Sequence, residues 1–98
     1  MSPTRKVYLL YEEYDPYVDY PDISSRAEVT ILGVFTSRKR AMDIRNSIVL
    51  DAAKEYDVRR ADLEKKLKDW KAVIRISTIS YYIYEFTPNE YSTPVKDY

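Results

Sequence analysis

The chain contains no cysteine, no histidine and a single glycine among its 98 residues. Each absence excludes chemistry. Without imidazole or thiol there is no Ser-His or Cys-His nucleophile pair, and no thiolate or imidazole set to hold a metal. One glycine cannot build a Walker loop or a dinucleotide-binding fingerprint. Small secreted domains rely on disulfides, so a cysteine-free chain of this size is expected in a reducing compartment. Long apolar runs are missing too. Behind Met1–Lys6, Val7–Leu10 is too short for a signal-peptide core or a membrane span. These absences predict a cytoplasmic protein with no membrane segment, cofactor, metal site or catalytic residues of its own.

What is present fits one folded domain. Hydrophobic residues make up 45% of the chain, which argues against wholesale disorder. The ordered core is expected over about residues 5–87, with a loose, proline-punctuated tail over 88–98. The formal net charge is zero, which removes the simplest argument for nucleic acid. The charges are nonetheless segregated. Residues 1–37 hold three Lys/Arg against six Asp/Glu, and residues 38–71 hold eleven against seven. An acidic first third beside a basic middle can mark an interaction face.

Val7–Tyr14 reads as a first strand, ended by Asp15-Pro16 and Tyr20-Pro21-Asp22. Val29–Phe35 reads as a second, in which Gly33 signals a bulge or a close backbone approach. Thr36-Ser37 supplies a helix N-cap. Behind it, Ala41, Ile44, Ile48, Ala52 and Tyr56 recur at helical spacing, and Leu63, Leu67 and Trp70 resume the pattern. A continuous helix over 38–70 would be about 50 Å long, so a kink or break near Asp57 is expected. Ala72–Phe86 reads as one final strand whose alternation slips at Ser77-Thr78, as a bulge would make it. The predicted fold is α+β in two layers, a three-stranded, mostly antiparallel sheet (β-β-α-(α)-β) packed on one long or broken helix.

The turn Gly33-Val34-Phe35-Thr36-Ser37-Arg38-Lys39-Arg40-Ala41 resembles the G-V-F-T-S-x-x-x-A strand-to-helix turn of small phage and mobile-element proteins. Those proteins combine a β-hairpin, that turn, a helix and a final strand. The resemblance covers about residues 5–86 and implies a fold and a phage-type origin. No site residues carry over, and the Asp57–Trp70 segment departs from the pattern.

Three groups stand out as candidate surfaces. Tyr14, Tyr17 and Tyr20, with Glu12, Glu13, Asp15 and Asp19, form a tyrosine-rich acidic stretch suited to a basic partner surface. The ordinary reading of its carboxylates is a solvated loop. Ser37, Arg38, Lys39 and Arg40 place three cations in a helix's first turn, against its positive end, where an anion would relieve them. A solvated basic face is the alternative. Leu63, Leu67 and Trp70 form an apolar stripe that three strands are too narrow to cover, which predicts a homodimer interface. The function expected from these features is that of a non-enzymatic interaction protein. It would bind and inhibit a host defence or nucleic-acid-processing complex, so its partner is a host protein or a protein–nucleic-acid complex. The alternative is a nucleic-acid-binding module, with the basic helical middle on phosphates and Tyr82 and Tyr84 stacking on bases.

Overall fold

The computed structural model describes residues 6–15 and 28–88. β1 (Val7–Tyr14) and β2 (Glu28–Phe35) are long antiparallel partners. Helix α1 (Arg38–Glu55) follows, then a single 3-10 turn (Arg60–Asp62), the short helix α2 (Glu64–Leu67), β3 (Ile74–Ile76) and β4 (Ile79–Phe86). The strands form one antiparallel sheet in the order β2-β1-β4-β3. The α+β class expected from the sequence is present, with four strands in place of three.

The extra strand comes from the slip at Ser77-Thr78. It is a chain reversal and not a bulge: Ile76 pairs with Ile79, leaving Ser77 and Thr78 as a two-residue hairpin loop. Ser77 has φ 57°, the positive value that lets a tight turn follow the twist of its strands. The bulge lies instead in β2. Leu10 pairs with Gly33 and Tyr11 with Ile31, so Leu32 is the extra residue. A side chain on Gly33 would bring its Cβ to 2.7 Å from the Phe35 ring, so that ring can lie over the backbone only where no side chain intervenes.

α1 starts where the sequence predicts, with Ser37 as N-cap and its hydroxyl accepting the Arg40 amide at 3.2 Å. It ends at Asp57. The Val58 amide donates to Ala53 at 2.8 Å and the Asp57 amide to Lys54 at 3.4 Å, while Asp57 takes φ 60°. This is the Schellman arrangement, usually completed by glycine. Aspartate tolerates the left-handed region better than most residues, at a cost. Asp57→Gly should therefore stabilise the domain by about 0.5–1 kcal/mol, and Asp57→Val should destabilise it by about 1 kcal/mol. Urea unfolding measures both, and an unstable glycine variant would mean that the Asp57 side chain has a structural role.

The buried stripe of α1 is Ala41, Arg45, Val49 and Ala53, one position on from the predicted one. Ile44, Ile48 and Ala52 flank it, and Tyr56 is exposed. The core beneath joins Val49 and Ala53 to Leu63, Leu67, Ile74, Ile76 and Tyr81. The predicted dimer stripe therefore needs correcting. Leu63 and Leu67 are buried within the chain's own core, because the 58–70 segment folds back onto α1 and the β3 side of the sheet, whose fourth strand widens it. Trp70 is half-buried, edge-on to Tyr8 at 5.9 Å.

Arg45 is fully buried. Its guanidinium donates to the carbonyls of Asp69 (3.1 Å), Trp70 (3.4 Å), Lys66 (3.2 Å) and Leu67 (3.1 Å), and its Nε to Asn46 Oδ1 at 3.0 Å. Asn46 in turn donates to the Leu67 carbonyl at 2.9 Å. The last carbonyls of any helix have no partner within it. Here one arginine, whose five N–H donors form a fixed fork, collects those of α2 and the turn after it. Burial pushes its pKa down and Asp69 opposes that shift.

Candidate functional site

Strand pairing sorts side chains onto two faces. Tyr8, Leu10, Glu12 and Tyr14 of β1 share the helix-side face with Ile79, Tyr81, Ile83 and Glu85 of β4. The opposite face carries Leu9 and Tyr11 beside Tyr84 and Tyr82, with Val34 and Ile31 across from them on β2. No described helix covers this second face. Val29 (58% exposed), Ile31 (62%), Val34 (60%) and Tyr84 (51%) all lie on it. Leu9, Tyr11, Val29, Ile31 and Tyr84 line an open apolar depression of about 370 Å³. Single exposed hydrophobics are ordinary on a protein surface; a contiguous patch of them marks an interaction site.

The aromatics on this face are held in place. The Tyr11 and Tyr82 rings stack at 4.9 Å and 6° between planes, and Tyr84 stacks on Phe86 at 5.9 Å and 19°. Tyr82 donates to Glu13 Oε1 at 3.1 Å, and burial followed by that bond pushes its hydroxyl above the ordinary 10.0. A platform locked in this way loses little side-chain entropy when a partner arrives.

The predicted surfaces fare differently. Tyr17, Tyr20 and Asp19 lie outside the described residues. Among the rest of that group, Glu12 and Tyr14 sit on the helix-side face and Glu13 on the outer one, so the three do not form one surface. The Asp15 amide is bound to the Thr78 carbonyl at 3.1 Å. In the predicted anion site, the Ser37 hydroxyl already accepts the Arg40 amide, and Lys39 pairs with Asp43 at 2.9 Å. Arg38 lies 4.9 Å from the Trp70 ring centroid and 3.5 Å from Glu85. The hydrogen bond from Tyr8 at 2.8 Å, with help from Lys6 and Arg38, holds the Glu85 carboxyl below its ordinary 4.5. These cations therefore have partners within the chain, and only Arg40 is left projecting without a described ion pair.

The apolar outer face was not among the residues singled out from the sequence, apart from Tyr82 and Tyr84 in the nucleic-acid alternative. A signal was available. Val29–Phe35 is apolar on both parities, the pattern of a strand covered on both faces, whereas a two-layer fold covers only one. No family model, no curated protein and no solved structure matches the chain. Among the described residues no helix is long and apolar enough to cross a membrane.

Proposed function

We propose that this chain is a non-catalytic binding domain that docks a protein partner on the outer face of its sheet. The observation that carries this reading is the grouping of Val29, Ile31, Val34 and Tyr84, each more than half exposed, on the one sheet face that α1 does not cover. The chain's lack of imidazole and thiol is in keeping with a binding role. A host protein complex is the partner class that follows from the phage-type resemblance.

The face favours protein over nucleic acid. Single-strand binding needs aromatic rings with a free face beside cations that track phosphates. Arg75 is the only basic residue in the four strands, and its Nε is bound to the Ser77 carbonyl at 3.1 Å. The basic middle of the chain lies on the helical layer, away from Tyr82 and Tyr84. Tyr11 and Tyr82 also spend a ring face on each other.

Affinity capture from the native host tests the reading. The wild-type chain should retain a protein in about 0.5 M salt and after nuclease treatment, because apolar contacts survive the screening that abolishes phosphate binding. The Val34→Lys/Tyr84→Lys variant should lose it, and the Lys65→Glu/Lys66→Glu variant on the helical layer should keep it. Capture that is indifferent to the face substitutions, or lost on nuclease treatment, overturns the proposal.

A further inference from the structure

We propose that two copies of this chain pair antiparallel along their β2 strands, extending the four-stranded sheet to eight strands. This goes beyond docking on the sheet face, since it uses the backbone at the sheet edge. In the order β2-β1-β4-β3 the two edges are β2 and β3. The long β4 strand is interior, paired with β1 over its whole length, and offers no edge. The two real edges differ. β3 has three residues and a central arginine, two of the devices by which proteins discourage strand addition. β2 has eight residues, Glu-Val-Thr-Ile-Leu-Gly-Val-Phe, with no lysine, arginine or proline. Among the described residues no strand pairs with its outer side.

Charge selects the occupant and its direction. β2 begins at Glu28, its one charged residue, and runs through Thr36-Ser37 towards Arg40, the one cation of the following helical turn without a described ion pair. An antiparallel second copy sets the acidic start of each strand beside the basic end of the other, and the two-fold axis makes that match twice. Parallel pairing would set like charge beside like. The bulge at Leu32 lies near the middle of the strand, so the same axis brings the two bends together. Val29, Ile31 and Val34 of both copies would then run side by side into one apolar face of double width. An eight-residue pairing buries less than the about 800 Å² per partner of a standard tight complex, so a dissociation constant in the micromolar range is expected.

Sedimentation velocity from about 1 to 100 μM tests this directly. The wild-type mass should rise from one chain to two. Ile31→Lys, at a position already 62% exposed, should keep the wild-type melting curve and remain monomeric throughout. Glu28→Lys should move the midpoint at least several-fold higher in concentration. Tyr84→Lys, on the same face but on interior β4, should leave the dimer intact. A wild-type monomer at the highest concentration, or a dimer that persists in Ile31→Lys, overturns the edge pairing. Dissociation by Tyr84→Lys does so as well, because it would mean that the sheets meet face to face. A monomeric wild type that still captures its partner through Val34 and Tyr84 would separate failure of this inference from failure of the docking role.

Discussion

Replacing Arg45 by methionine should lower the unfolding free energy by about 3–5 kcal/mol, the range for breaking a buried, charged hydrogen-bond network from one side. The substitution keeps most of the aliphatic stem and removes all five donors at once. The Trp70 carbonyl and Asn46 Oδ1 would then lose this partner outright, while the carbonyls of Lys66, Leu67 and Asp69 would each keep one bond, to the Asp69 amide, the Asn46 side chain and the Ala72 amide. Each unsatisfied buried group costs about 1–3 kcal/mol. In a domain of this length the melting temperature should fall by about 15–30 °C. Arg45→Lys should recover little, since a compact ammonium with three donors cannot span the positions the planar fork reaches. Amide exchange should rise first in residues 64–76. A loss below about 1 kcal/mol for Arg45→Met would mean that water reaches the site and that the arginine does not hold the segment down.

Leu67→Ala should cost about 2–4 kcal/mol at every protein concentration. Leu67 is 7% exposed and belongs to the cluster of Val49, Ala53, Leu63, Ile74, Ile76 and Tyr81, so truncation leaves a cavity inside one chain. Were Leu67 instead an interface residue, its loss would change mass and leave the monomer's stability nearly intact. Denaturant melts at two concentrations a hundredfold apart separate the two outcomes. Leu67 also presents its carbonyl to Arg45 and Asn46. Leu67→Ala and Arg45→Met together should therefore cost less than their sum, because either one already loosens the same turn.

Much of the local structure was legible in the residues. Val7–Tyr14 is rich in apolar and aromatic residues and is bounded by Asp15-Pro16, and β1 occupies those residues. The Ser37 cap and the break at Asp57 both belong to short-range chemistry, a hydroxyl over a free amide and a left-handed residue closing a helix. Gly33 announced a bulge or a close approach, and the strand has both. The slip after Ile76 was visible as well, but a two-residue turn and a bulge displace side-chain parity alike. Only the pairing of Ile76 with Ile79 separates them.

The candidate site was harder to read, for one reason throughout. A sequence shows which residues are apolar, and not which apolar faces find cover. Leu63 and Leu67 had the spacing of an uncovered stripe, yet the chain folds them into its own core. Val29, Ile31 and Val34 had the composition of a buried strand, yet they stand in solvent at a sheet edge. Arg45 was one more cation in a basic stretch until five acceptors from two segments closed around it. The sequence by itself determined the absent chemistry, the α+β class and the caps and breaks of its helices, since these depend on side-chain identity and on neighbours a few residues away. Tertiary structure alone decided the strand order, the burial of Arg45 and the exposed face of the sheet. Those depend on pairings across tens of residues, and a one-residue shift in strand register moves a side chain from core to solvent.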